Sequence, residues 1–124
     1  MRMFAKLCCV LLCSLVVSAC QKTPSPPGSA DLRVAELAVP DEPQLAQKYA
    51  RACQTCHSSR ASTAPLTGFV PDWQVRLQQG LPTLVTHARE GYKAMPPRGY
   101  CNDCSDQDLE ALIVFMSSTQ RAKE

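Results

Sequence analysis

The sequence has little excess charge, few aromatic residues and no sustained two-residue alternation. Its 124 residues carry 13 Lys and Arg against 11 Asp and Glu, and aromatic residues make up 6%. Removal of an N-terminal leader with Arg2 and Lys6 would leave 11 cations, which balance the 11 anions. Because no basic stripe is present, nucleic acid is not an expected partner, and long-range steering should be weak. The missing alternation predicts an all-α domain.

Residues 1–19 have the composition of a signal peptide. Arg2 and Lys6 form its positive end, and Leu7 to Ala19 carries no charge. The apolar run is too short to span a membrane comfortably. We therefore expect an exported chain.

The end of this leader, "VSAC" from Val17 to Cys20, resembles the bacterial lipobox. The resemblance implies that Cys20 becomes a lipidated N-terminus with two or more acyl chains, which suffice for stable anchoring. The chain would then be a lipoprotein attached to a bacterial membrane and facing the periplasm. Gln21 stands where an aspartate favours retention in the inner membrane, so the outer membrane is favoured.

The segment from Gln21 to Pro43 holds five of the ten prolines and no aromatic residue. It cannot bury enough apolar surface to offset the entropy of ordering it. We expect a flexible Pro-rich tether over residues 20–40 and one folded domain over residues 41–124. A domain of about 80 residues is small for a self-sufficient core, which favours a cofactor or a covalent staple.

The eight cysteines divide by position into the leader, the lipid site and two Cys-x-x-Cys pairs. The leader and lipid cysteines are Cys8, Cys9, Cys13 and Cys20. The pairs are Cys53 with Cys56, and Cys101 with Cys104.

Two such pairs can form a zinc site with four thiolate ligands. However, 44 residues separate the inner cysteines, against about 15–20 in that signature, and an exported chain meets oxidising conditions. A thioredoxin-like dithiol is the second alternative, but it requires a βαβ context, and helix or turn is predicted around both pairs.

Covalent haem explains more of the motif residues than zinc or a redox dithiol does, because it also accounts for the adjacent histidine. In Cys-x-x-Cys-His the two thiols bond the haem vinyl groups and the histidine is the proximal ligand of the iron. Cys53 and Cys56 are thus the predicted thioether residues and His57 the predicted iron ligand. We expect one covalent haem c.

Met95 is the predicted distal ligand, because Pro96, Pro97 and two glycines surround it and indicate a stiffened loop. His87 on a predicted helix is an alternative ligand, with a surface or core-edge position as its competing interpretation. Met116 falls at helical spacing with Leu109 and other apolar residues, which indicates the core.

Apolar spacing, caps and glycines predict four helices. They cover residues 44–53, 72–79, 81–90 and 106–118.

These residues together resemble the class I cytochromes c, and within them the bacterial cytochrome c₅ type. The resemblance extends over about Tyr49 to Met116. The matching features are "CQTCH", Ala64 with Pro65, Gly68, Trp73 and Arg76 in "DWQVRLQQG", Leu84, His87, "AMPPRG", "CNDCSD" and "LEALIVFM".

The resemblance implies a small class I cytochrome c fold, with about four helices wrapped around one covalently bound haem. Pro65 would accept a hydrogen bond from His57 through its carbonyl, and Trp73 would pack beside the haem. Cys101 and Cys104 would form a short disulfide that braces the turn after the Met95 loop. Two positions depart from the family: Leu45 and Tyr100 stand where glycine is frequent.

The expected function is one-electron transfer rather than enzyme catalysis. Redox donor and acceptor proteins would dock transiently at the haem edge, near Cys53 and the Met95 loop. Two alternatives stay open at this point: a haem-bearing accessory subunit of a larger oxidoreductase, and a peroxidase-like or ligand-sensing protein with an open sixth site.

Overall fold

A computed structural model describes residues 25–118. The predicted signal peptide, Cys20 and the start of the predicted tether lie outside these residues. Within the described part of the chain, every helix is too short or too polar to cross a bilayer.

Residues 25–118 form six α-helices, one π-helical segment and one short 3₁₀ helix. The α-helices are α1 Ser29–Leu37, α2 Pro43–Lys48, α3 Gln54–His57, α4 Val70–Leu77, α5 Leu81–Glu90 and α6 Asp106–Ser117. The π-helical segment is Tyr49–Cys53 and the 3₁₀ helix is Pro97–Tyr100. The described residues contain no β-strand, only an isolated bridge between Tyr92 and Met95. The predicted all-α class is confirmed.

One helical run extends from α2 through the π-helical segment to α3, and it carries the Cys-x-x-Cys-His motif. Glu42 begins it by accepting hydrogen bonds from the backbone N–H groups of Gln44 and Leu45, at 2.9 and 2.6 Å. The predicted helix ends at residue 53, whereas the observed run continues to His57. A π-helical turn of this kind is frequent at functional sites.

Helix α5 has the predicted bounds, and α4 begins two residues before its predicted start. Pro71 lies in the first turn of α4, where a missing N–H breaks no helical hydrogen bond. Gly80 and Gly91 flank α5 with φ of 85° and 89°, a region that L side chains rarely adopt.

Helix α6 begins at the predicted capping box. The Ser105 hydroxyl accepts from the Asp108 N–H at 3.1 Å, and the Asp108 carboxylate accepts from the Ser105 N–H at 2.8 Å. The apolar face of α6 packs against α5 and the first helical run. The buried residues of α6 are Leu109, Leu112, Ile113 and Met116.

The first helical run crosses α6 through two aromatic rings. Tyr49 and Phe115 meet edge to face, with centroids 5.0 Å apart and planes at 77°. Leu45, at the position where the family often has glycine, is partly buried against the same core. The larger side chain therefore packs at the crossing.

Helix α1 was not among the four predicted helices, and it lies inside the predicted tether. The Gln54 side chain donates to the backbone carbonyl of Glu36 at 3.2 Å, and Ala35 is 0% exposed. The burial uses small alanines rather than the large apolar residues that mark a core helix in a sequence. This explains why composition alone indicated an unfolded segment.

Candidate haem site

The two cysteines of the attachment motif differ in exposure. Cys53 is buried and Cys56 is exposed, and both thiols are free. Burial raises the pKa of the Cys53 thiol to about 11, although the positive charge of Arg51 opposes the shift. Without haem, Cys53 is therefore a neutral thiol at pH 7.

The His57 ring is oriented by a hydrogen bond to the loop that follows the motif. Its ring is 6% exposed, and Nδ1 lies 2.8 Å from the carbonyl oxygen of Pro65. A carbonyl can only accept, so Nδ1 carries the proton and Nε2 keeps its lone pair. Burial lowers the pKa of His57, which favours the same neutral form. An imidazole in this state is a metal ligand.

Helix α4 fixes the Pro65 carbonyl through the next residue, Leu66. The Leu66 N–H donates to the Asp72 carboxylate at 2.8 Å, and the Leu66 carbonyl accepts from the Trp73 indole at 2.8 Å. Both peptide groups of Leu66 are thus tied to α4. The Asp72 contact was not predictable from the sequence, in which Asp72 is simply an acidic residue in a first helical turn, where the helix dipole favours it.

Trp73 also lies beside His57. The two rings are nearly parallel, at 21°, with centroids 6.0 Å apart, and Trp73 is 4% exposed. The indole therefore covers the histidine and excludes water from this side.

Thr67 is a further member of the site that the sequence analysis did not find. It is 0% exposed, its N–H donates to the His57 carbonyl at 2.8 Å, and its hydroxyl lies 3.1 Å from the Tyr49 hydroxyl. The next residue, Gly68, donates its N–H to the Met116 carbonyl at 2.8 Å. The loop after the motif is thereby joined to both crossing helices.

Met95 closes a two-residue hairpin after α5. Its N–H donates to the Tyr92 carbonyl at 2.9 Å, and its carbonyl accepts from the Tyr92 N–H at 3.0 Å. The side chain is partly buried against the core that contains Cys53. The loop therefore directs the thioether inward.

The turn after Met95 approaches the first helical run closely. A Cβ on Gly99 would lie 3.4 Å from Met95 Cε and 3.8 Å from the Ala52 carbonyl oxygen. Tyr100 follows with φ of 66°, and it is 77% exposed. Glycine would adopt this φ without strain, which accounts for its frequency there in the family.

Cys101 and Cys104 form a disulfide with a Cα–Cα distance of 5.3 Å. This bond removes two of the four thiolates that the zinc alternative requires. Within residues 25–118, no group of three or more His, Cys, Asp or Glu side chains could hold a metal ion. The thioredoxin-like alternative also lacks its βαβ context in this part of the chain.

The other two residues that were considered as distal ligands, Met116 and His87, are engaged in other contacts. Met116 is 4% exposed on the core face of α6, in line with its prediction as a core residue. His87 lies on α5, where its ring stacks on Tyr92 with centroids 4.0 Å apart.

The donor set fits a covalently attached haem. Two free thiols lie in one helical run, and the adjacent imidazole has its Nδ1 occupied and its Nε2 available. Met95 is a thioether on a loop that packs against the same core. The fold and this site define a small c-type haem protein.

The comparisons with known proteins agree with that class. A family model described as "Cytochrome C oxidase, cbb3-type, subunit III" matches residues 40–116. Cytochrome c5 of Azotobacter vinelandii is 40% identical over 70 residues, which cover 55% of this chain and 84% of that protein. Cytochrome c-555 of Prosthecochloris aestuarii is 30% identical over 76 residues, covering 55% of this chain and 77% of that protein.

A solved structure gives the same result. It is titled "Crystal structure of electron transfer complex of nitrite reductase with cytochrome c", and the matched chain is 33% identical with a TM-score of 0.54. The match covers 61% of this chain and 93% of that one. The family model and the relatives together show that the protein belongs to the class I c-type cytochromes.

Family membership confirms three predictions. The fold is that of a small cytochrome c, the cofactor is covalently bound haem c with iron, and the protein transfers electrons rather than acting as an enzyme. The two axial ligands, the roles of Pro65 and Trp73, and the lipid on Cys20 stay predictions.

Proposed function

We propose that this chain is a membrane-tethered periplasmic carrier of single electrons, with its haem iron held by His57 and Met95. The observation that carries the proposal is the state of His57. Its buried ring donates Nδ1–H to the Pro65 carbonyl at 2.8 Å and follows two free thiols. A ring held in this way suits a permanent axial ligand.

When bound, the haem supplies an iron that alternates between the ferrous and ferric states. Cys53 and Cys56 would hold the group covalently, and His57 Nε2 and Met95 Sδ would be the protein ligands of its iron. With both ligands bound, a peroxide or another substrate would have to displace one of them to reach the iron. Trp73 and the apolar core keep water away from the histidine.

Redox partners dock on the surface around the Met95 loop and Cys56, rather than at the predicted Cys53, because Cys53 is buried. Cys56 is exposed, and Tyr92 and Tyr100 are 43% and 77% exposed. These aromatic surfaces make the contact partly apolar, in keeping with the balanced charge. The solved cytochrome c in an electron transfer complex with nitrite reductase supports transient docking on a protein partner.

The membrane tether is part of the proposal. A lipid on Cys20 would attach the chain, and α1 begins at Ser29, so about eight residues separate anchor and helix. A random-coil segment of about eight residues reaches on the order of 15 Å. The domain would therefore stay close to the membrane. Gln21 after Cys20 favours the outer membrane.

A second candidate function is an accessory haem subunit of a larger oxidoreductase. The family model that matches residues 40–116, which describes subunit III of a cbb3-type oxidase, favours it. Detergent extraction followed by size separation distinguishes the two. A mobile carrier elutes as a small species, and a subunit elutes with a large complex.

Two measurements test the proposal. A pyridine haemochrome spectrum, taken after acid–acetone extraction, should show haem that stays with the protein, because both thiols bond it. Mass spectrometry of the mature N-terminus should show a diacylated Cys20. Extractable haem would contradict the attachment, and cleavage at any other position would contradict the anchor.

A further inference from the structure

The hairpin that presents Met95 is strained within itself. Lys93, the first of its two turn residues, has φ of 55°, where glycine is favoured in two-residue hairpins. A non-glycine residue in this region is strained. The hairpin therefore needs support from outside the turn to stay in one conformation.

That support comes from α5 through Tyr92. The Tyr92 ring lies flat against the His87 ring, with centroids 4.0 Å apart and planes at 13°. Tyr92 also forms both hydrogen bonds that close the hairpin on Met95, at 2.9 and 3.0 Å. One residue thus connects the stack to the methionine backbone.

Helix α5 is a rigid base for this contact. Three of its residues, Leu84, Val85 and Ala88, are buried in the core against α6. At its end, Gly91 is packed so tightly that a Cβ would lie 3.1 Å from the Met95 carbonyl oxygen. A displacement of the hairpin from α5 would therefore move Met95 as well.

We propose that His87 is a positioning residue for Met95 and acts through the Tyr92 ring. The inference rests on the proposed function, because it takes Met95 to be the distal iron ligand. In this proposal His87 does not ligate the iron. Its flat ring holds Tyr92 against α5, and Tyr92 holds the methionine backbone.

The consequence is a change in how easily an external ligand replaces Met95. A stacked aromatic pair contributes modestly beyond its buried area, so its loss should favour the displaced loop about three- to tenfold. Imidazole, which binds ferric iron, is a suitable competitor. Its half-displacing concentration should fall by that factor when the stack is removed.

The experiment uses the ferric holoprotein and follows the weak far-red absorption band that methionine ligation gives. Imidazole is titrated into the native protein, His87→Ala and His87→Phe, because phenylalanine keeps a flat ring. Tyr92→Leu and Tyr92→Phe form the same pair on the other side of the stack. Tyr100→Leu is the matched control, since it removes a more exposed aromatic from the same loop. Thermal unfolding of each variant is recorded alongside.

We expect His87→Ala and Tyr92→Leu to lower the imidazole midpoint three- to tenfold, and both phenylalanine variants and the control to stay within twofold of native. A midpoint in His87→Ala equal to native, or a fall in Tm with no change in midpoint, would overturn the inference. Loss of the band in His87→Phe without imidazole would also overturn it, because a flat ring at position 87 would then not suffice to hold Met95 in place. If Met95→Ala keeps the band, the proposed function fails instead, which is a distinguishable result.

Discussion

The chain contains the same Cys-x-x-Cys spacing twice, and the two copies have different chemistry. Cys53 and Cys56 lie on a helical run as free thiols, one buried and one exposed. Cys101 and Cys104 lie in a turn, are 0% and 3% exposed, and form a disulfide. The difference shows that spacing does not decide the chemistry of such a pair; the backbone conformation and the neighbouring residues do.

An ion pair connects the two regions. Arg51, two residues before Cys53, donates to both carboxylate oxygens of Asp103 at 2.6 Å, and Asp103 lies between the second pair of cysteines. The two side chains are 47% and 61% exposed, so solvent screens the contact and its contribution to stability is small. It orients the regions without dominating their stability.

The largest expected effect separates the two pairs by haem attachment. The double variant Cys53→Ser with Cys56→Ser should lose all covalent haem, because hydroxyls do not replace the thioether bonds. Cys101→Ser with Cys104→Ser should keep the full haem content. The pyridine haemochrome test after extraction measures both. Haem loss from the second variant as complete as from the first would break the comparison.

The second pair should act on stability instead. Closing a four-residue loop restricts the unfolded chain by about 2 kcal/mol in the chain-entropy account. Replacing Cys101 and Cys104 with serine should lower the free energy of unfolding by about that amount, measured by denaturant titration of the holoprotein. A loss below about 0.5 kcal/mol would mean that the pair does not brace the fold.

A smaller effect is expected at the buried hydroxyl pair next to the attachment motif. Thr67→Val leaves the Tyr49 hydroxyl buried without its partner and should cost about 1 to 2 kcal/mol. The double variant with Tyr49→Phe should recover part of that loss, since neither hydroxyl is then left unpaired. Unfolding free energies of the three variants test this, and purely additive losses would contradict it.

The smallest effect concerns pH and the salt bridge from α2 to α6. Lys48 Nζ lies 2.7 Å from the Asp108 carboxylate. This contact and, after it, the hydrogen bonds from Ser105 lower the pKa of Asp108 to about 2. Because this folded-state pKa lies below the unfolded value, the stabilisation is complete above about pH 4 and is lost as the pH falls toward 2. Because both side chains are partly exposed, solvent screening limits this stabilisation to about 1 kcal/mol.

The variant Asp108→Asn tests that window. Its deficit in unfolding free energy should be largest above pH 4 and shrink toward pH 2. Glu110→Gln on the same helix is the control, because it removes the same charge from an exposed position. A deficit that does not change with pH would contradict this account, because the charge of Asp108 would then add nothing to the folding stability.

The attachment motif was predictable because its chemistry depends on adjacent residues. Cys53, Cys56 and His57 form a local pattern, and the capping box at Ser105 and the glycines around α5 are local as well. The bounds of α5 and the start of α6 followed from the same signals, whereas the first helical run and α4 have other bounds than predicted. Local physics was therefore enough for the fold class and for three residues of the site.

Contacts between distant segments were not predictable in this way. The Tyr49–Thr67 pair and the two hydrogen bonds of Leu66 join segments whose meeting depends on the whole fold. Helix α1 was missed because its packing relies on small buried alanines and on one hydrogen bond, which the Gln54 side chain donates to the Glu36 carbonyl. None of these leaves a periodic signal in the sequence.

The central claim is that Met95 completes the coordination of an iron held by His57. It is tested most directly by the ferric absorption spectra of Met95→Ala and of Met116→Leu, a core methionine of α6. The account predicts that the weak far-red band is lost in the first variant and kept in the second. An unchanged low-spin spectrum with that band in Met95→Ala would contradict it.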